Sequence, residues 1–327
     1  MTKSIPILEE GQGSLWSPPD PDAFRTWVRE HKSRAMQDKL MTEQEAIRRF
    51  VQDGDYVAVE LYGTVRAPLS LVRELVRQGK RHLRVAGQGL LEVDFLLAAG
   101  LVDALDLTYV GYEVLGLSAI LRRAVEGGQV QVTEWSNGAL TWRFKAAAMG
   151  VPFLPVRSML GSDTLRHSAA KVVKDPWTGK PVALLPALFP DVALIHVHRA
   201  DPYGNCQIDG IVGFALELAR ASKRVIVSAE EIVSPDEIRR EPERTVIPYF
   251  LVDAVVHAPF GSHPGEMAYL YERDETHLRM FLEKSRTEEG TRAYLEEWIY
   301  GVPNHEAYVQ KVGLEHLWSL QRARTGR

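Results

Sequence analysis

Cysteine is almost missing from this chain of 327 residues. Cys206 stands alone, so no disulfide can close within the chain, and a reducing compartment is the expectation. An excess of basic charge is missing too. Lys and Arg total 39 against 43 Asp and Glu, a net charge of −4. That balance withholds the positive surface a phosphate backbone requires and argues against a nucleic-acid partner. No uninterrupted apolar run approaches the roughly 20 residues of a membrane span. The longest, Pro181–Pro190 and Phe250–Pro259, are of strand length, and Asp253 and His257 interrupt the second. The opening segment MTKSIPILEEGQGSLWSPPDPD has acids and prolines where a secretory signal needs an apolar core. Together these absences predict a cytoplasmic protein with no membrane partner. HEXXH and GxSxG signatures are absent as well.

With 45% hydrophobic and 25% charged residues, the chain has enough apolar side chains for a large core. Residues 1–40 read as an N-terminal arm and helix. Gly11, Gly13, Pro18, Pro19 and Pro21 break the arm, and Asp22 is the expected cap of a helix through Phe24, Trp27 and Val28. Trp16 and Trp27 are either anchors at a subunit interface or isolated surface aromatics. Residues 41–327 read as a single α/β domain. Thr42 and Glu45 have the spacing of a capping box, starting a helix with Ala46, Ile47 and Phe50 on one face. Strand-like runs at 57–61, 83–86, 107–110, 130–133, 151–155, 182–185, 192–198, 224–229 and 253–258 alternate with helical stretches. This alternation predicts an open, mainly parallel sheet with helices on both faces. From Ser262 the pattern turns helical and polar, with Trp298, Tyr300 and Tyr308 as anchors.

Open parallel sheets collect ligands at the carboxyl ends of their strands, so the loops there hold the candidate site residues. Gly63, Thr64 and Arg66 follow the first strand, where glycine admits close backbone approach and arginine can pair with a carboxylate or phosphate. A tight turn with a solvated arginine explains the same residues equally well. Gly87 and Gly89 begin a dinucleotide fingerprint, but Glu92 stands where its third glycine belongs, which favours a plain turn and argues against a nicotinamide cofactor. Glu113 closes Tyr109-Val110-Gly111-Tyr112 and could act as a base or nucleophile, or only favour a helix N-terminus. His196 and His198 share one face of a strand, but no third ligand has a convincing spacing, and no metal is expected. Cys206 sits in a turn without marks of an activated thiol.

Several segments in order carry a resemblance. They are Tyr62-Gly63-Thr64-Val65-Arg66-Ala67-Pro68, Tyr109-Val110-Gly111-Tyr112-Glu113 and EWSNGALTWRFKAAAMGVPFLPVRSMLG at 134–161. HVHRADPYGNCQIDG at 196–210, SAEEIVSPDEI at 228–238 and VDAVVHAPFGSHPGEM at 252–267 complete the set. Across roughly residues 40–315 the chain resembles the A-type chain of family I CoA-transferases, nearest the glutaconate CoA-transferase type. The resemblance implies a CoA-transferase-like open α/β fold related to sugar-phosphate isomerases. It also implies a B-type partner chain, commonly in an α2β2 assembly, and a CoA thioester as substrate with no tightly bound cofactor. In such enzymes a glutamate, normally on the B-type chain, carries the acyl group and then CoA, and glycine-loop amides stabilise the oxyanion. Gly63 and its neighbours would then form part of an acyl or oxyanion pocket lined by Arg66 and by the Ser136-Asn137-Gly138 turn. The expected activity is movement of CoA between an acyl-CoA and a small carboxylic or dicarboxylic acid.

Two alternatives come with the resemblance. One branch of the fold hydrolyses a ring of a steroid-derived CoA ester, with a functional glutamate just before the glycine of the turn matching 134–140. This chain has Asn137 there, and an amide can neither form an anhydride nor serve well as a base. The other alternative is a non-catalytic ligand-sensing or structural role within an assembly. Residues 24–50 offer helices, but no DNA-recognition helix.

Overall fold

The computed structural model describes residues 5–325. The first four and last two residues of the predicted segments 1–40 and 41–327 lie outside that range. Seven parallel strands run side by side in the order Ala254–His257, Arg224–Ile232, Val192–Ala200, Tyr56–Gly63, Leu83–Gly89, Val102–Leu107 and Gln131–Glu134. Two short antiparallel pieces, Cys206–Gln207 and Thr245–Ile247, continue the sheet beside the end of Val192–Ala200.

The period of two in these strands divides the core. Val57, Val59, Val85, Leu194, Ile226 and Val256 face one side, while Tyr56, Ala58, Ala86, Ile195, Val227 and Val255 face the other. Burying each Val or Leu contributes roughly 1.5–3 kcal/mol relative to leaving it exposed. The first side is covered by the helices Glu43–Phe50, Leu69–Gln78, Leu91–Ala98, Ala119–Glu126, Glu275–Ser285 and Glu288–Leu295. The second is covered by the helices Asn137–Met149 and Ala215–Ala221 and by a further sheet. The expected parallel α/β sheet with helices on both faces is therefore present.

That further sheet departs from the sequence expectation. Glu9–Glu10, Lys171–Lys174, Pro181–Pro186 and Phe153–Val156 form four antiparallel strands. Two of the runs expected in the parallel sheet, 151–155 and 182–185, thus belong elsewhere, because their partners are set by tertiary pairing. The start of the arm supplies an edge strand. The arm's first helix, Pro21–His31, is capped by Asp20 and not by Asp22: the Asp20 carboxylate accepts from the amides of Asp22 and Ala23. At the next helix Thr42 caps as expected, its hydroxyl accepting from the Glu45 amide at 3.2 Å.

Candidate active site

The strands Tyr56–Gly63 and Leu83–Gly89 end level with each other, Gly63 opposite Gly89. Gly63 has φ +68°, a left-handed conformation that favours glycine. The chain then turns back against a second loop: the Arg66 amide donates to the Glu266 carbonyl at 2.8 Å, and the Glu266 amide donates to the Thr64 carbonyl at 3.1 Å. The approach is close enough that a Cβ on Gly265 would lie 2.1 Å from the Thr64 carbonyl oxygen, so only glycine fits there. This stitching delivers Glu266 to the Thr64 hydroxyl, which donates to its carboxylate at 2.6 Å. Ser262 steadies both loops, accepting from the Ala67 amide and donating to the Glu266 carbonyl.

A cavity of about 170 Å³ opens here, with Gly63, Thr64, Tyr112, Glu113, Glu266 and Arg273 among its walls. Three of the sequence-derived candidates, Gly63, Thr64 and Glu113, thus meet around one space. Glu113 reaches it from an exposed turn in a left-handed conformation, φ +51°, which is uncommon for a residue with a side chain. The cavity is smaller than the roughly 300 Å³ at which pockets for drug-sized ligands begin.

The remaining candidates lie elsewhere. Arg66, expected to line the pocket, does not border it. It is 1% exposed and pairs with the fully buried Glu60 at 2.7 Å, while donating also to the carbonyls of His196 and Val212. Its charge is already committed inside the fold, so it braces the loop and is not presented to a ligand. Burial raises the Glu60 carboxyl, and Arg66 pulls it back. Gly87 packs within the sheet, where a Cβ would come 2.6 Å from a Val59 methyl. Gly89 covers the carboxylate of Glu92, 2.7 Å from where a Cβ would sit. Ser136, Asn137 and Gly138 open the helix Asn137–Met149 and do not border the cavity. Ser136 caps it through the Ala139 amide at 3.1 Å, and the Asn137 carbonyl accepts from Gln88 at 2.7 Å. Beneath this turn, Asp106 accepts from Trp135 at 2.6 Å and pairs with Arg143 at 2.7 Å.

Two buried acids lie under the same strand ends. Burial raises Glu92 to about 7, even though the Leu90 amide donates to it at 3.2 Å. Burial likewise raises Asp94 to about 6, with Tyr112 and Ser118 donating to it. The two histidines of the central strand have both ring nitrogens engaged. His196 meets Ser228 and Glu230, each at 2.8 Å, and His198 meets the Ala268 carbonyl and the Asp209 amide. These bonds hold both rings in place as polar residues of the strand. Burial pushes the Cys206 thiol far up, which leaves it inert.

Sequence reasoning missed Glu266 and Arg273. Glu266 lies in the quoted segment 252–267, but nothing local marks it, because its partner Thr64 is about two hundred residues away in the chain.

The Coenzyme A transferase family profile matches residues 40–258. The A-type chain of glutaconate CoA-transferase from Acidaminococcus fermentans is 33% identical over 86% of this chain and 94% of its own length. The A-type chain of 3-oxoadipate CoA-transferase from Pseudomonas knackmussii is 35% identical over 84% of this chain and 98% of its own. The crystal structure of the A. fermentans glutaconate enzyme superimposes with a TM-score of 0.83, covering 86% of this chain and 95% of that one. The chain belongs to the coenzyme A transferase family.

Proposed function

We propose that this chain is the A-type component of a two-component CoA-transferase that moves CoA between an acyl-CoA and a small carboxylic or dicarboxylic acid. The observation that carries this reading is the cavity closed by the Gly63–Thr64 turn and Glu266 at the ends of parallel strands. Similarity to two A-type CoA-transferase chains over most of its length supports it. A B-type chain, in an α2β2 assembly in the cytoplasm, supplies the nucleophilic glutamate. That carboxylate attacks the thioester carbonyl, the carbon–sulfur bond breaks, and CoA leaves as thiolate with an acyl-glutamyl anhydride left behind. The thiolate then attacks the glutamyl carbonyl and expels the acyl group as its carboxylate, giving a glutamyl-CoA thioester. The acceptor acid runs the same steps in reverse. Dividing one exchange into easier displacements is the gain of covalent catalysis. In this scheme the present chain forms the facing wall, with Gly63, Thr64 and Glu113 around the acyl group.

The test is to co-express the chain with a B-type chain, add acyl-CoA and weigh both chains by intact mass spectrometry. The expected result is a CoA adduct, less one water, on the partner alone, and acyl-CoA consumption that depends on an acceptor acid. Consumption that needs no acceptor and leaves no adduct would overturn the proposal in favour of hydrolysis.

A further inference from the structure

We infer that His263, Asp274 and His277 form a binding site for a divalent transition-metal ion of the zinc class, at the junction between the Glu266 loop and the C-terminal helices. His263 follows the last strand of the parallel sheet, Ala254–His257. Asp274 caps the helix Glu275–Ser285, its carboxylate accepting from the His277 amide at 2.9 Å. The cap places His277 one turn along, beside the carboxylate. All three side chains are buried, and one ligand-type atom of each lies within 4.8 Å of the other two. His263 Nε2 is 3.1 Å from Asp274 Oδ2. Ligands at roughly 2.0–2.1 Å from a tetrahedral zinc stand about 3.3 Å apart, so this pair is already near ligand spacing.

The surroundings are those of a metal site. Histidine ligands characteristically fix their second ring nitrogen on an outer partner. The Nδ1 of His263 meets the Tyr308 hydroxyl at 2.7 Å, and the Nε2 of His277 meets the Tyr294 hydroxyl at 2.8 Å, both tyrosines being buried. The Asp274 carboxylate accepts from the His277 amide and meets the rings of His263 and His316. His316 also contacts Asp274 Oδ2, at 2.6 Å, and its side chain is 42% exposed, which makes it the entry side. Arg73 is the opposing charge, bonded to the His263 carbonyl at 2.9 Å and stacked 3.7 Å over Tyr308. Asp274 offsets it. Two imidazoles with one carboxylate suit zinc or cobalt better than magnesium or calcium, which prefer all-oxygen sets.

Such an ion would brace the candidate cavity. Residues 260–267 carry both His263 and Glu266, and the ion would pin them to the helix Glu275–Ser285. Without an ion, the same residues form a closed hydrogen-bond network, and the experiment distinguishes the two. The full chain, in whatever assembly it purifies, is stripped with a chelator, dialysed and titrated with Co²⁺ and then Zn²⁺. The expected result is one equivalent of Co²⁺ per chain with visible ligand-field absorption, displaced by Zn²⁺, and a melting temperature raised by either ion. His277→Gln abolishes the absorption and the melting shift. Tyr308→Phe, which removes only the outer partner, weakens binding about ten-fold. His82→Gln removes an exposed histidine 3.1 Å from Asp103 and leaves binding unchanged. Failure of the unaltered protein to bind Co²⁺ would overturn the inference whatever the variants do. So would absorption that survives His277→Gln or disappears in His82→Gln.

Discussion

Replacing Glu92 with glutamine tests the electrostatics under the glycine turn. Glu92 is 1% exposed, and burial raises its carboxyl from 4.5 to about 7, with the Asp94 and Glu60 charges adding to the shift. In the unfolded chain it titrates near 4.5. The folded state therefore binds the proton more tightly, and this stabilises the fold fully below about pH 4.5. The contribution fades as pH rises from about 4.5 to about 7 and is gone above it. About 2.5 pH units at 1.36 kcal/mol each makes the loss about 3 kcal/mol. Glutamine keeps an oxygen for the Leu90 amide and never ionises, so it mimics the protonated acid. The assay is urea unfolding of parent and variant at about pH 5 and about pH 8. Glu92→Gln should be close to the parent at the lower pH and about 3 kcal/mol more stable at the higher. An unchanged difference between the two proteins at both pH values would refute the reasoning and place Glu92 in contact with water.

Four other outcomes are expected. Arg66→Met strands the buried Glu60 charge and should cost about 3–5 kcal/mol in urea unfolding, while adding Glu60→Gln recovers most of the loss; a double variant as unstable as the single one would contradict the pairing. Gly63→Ala places its Cβ in open space and should cost about 1–2 kcal/mol from backbone strain alone. In Gly89→Ala the new Cβ meets the Glu92 carboxylate, so that side chain must shift, and thermal melting of the variant should fall below that of the parent. Glu113→Gln should slow CoA transfer through altered acyl binding yet leave the CoA adduct on the partner chain, and mass spectrometry showing no adduct would move the nucleophile to Glu113.

How a site can be built from unremarkable residues is clearest at Thr64 and Glu266. Each is ordinary in its own segment. They meet because Gly265 allows the two loops to touch, and no window of sequence holds both. Arg66 shows the converse. An arginine three residues after a glycine at a strand end looks like an anion ligand, but a buried acid six residues earlier claims it, and that pairing exists only in the folded chain.

The sequence by itself determined the α/β class, the alternation of strands with helices and the start of the helix capped by Thr42. These depend on periodicity and capping chemistry, which act over a few residues. It also placed Gly63, Thr64 and Glu113 in loops at strand ends, where all three prove to border one cavity. Only the tertiary structure decided which strands left the parallel sheet, that Arg66 is sequestered, and that Glu266, Arg273 and the His263–Asp274–His277 cluster come together. Those outcomes depend on desolvation and on contacts between distant segments, and both exist only once the chain has folded.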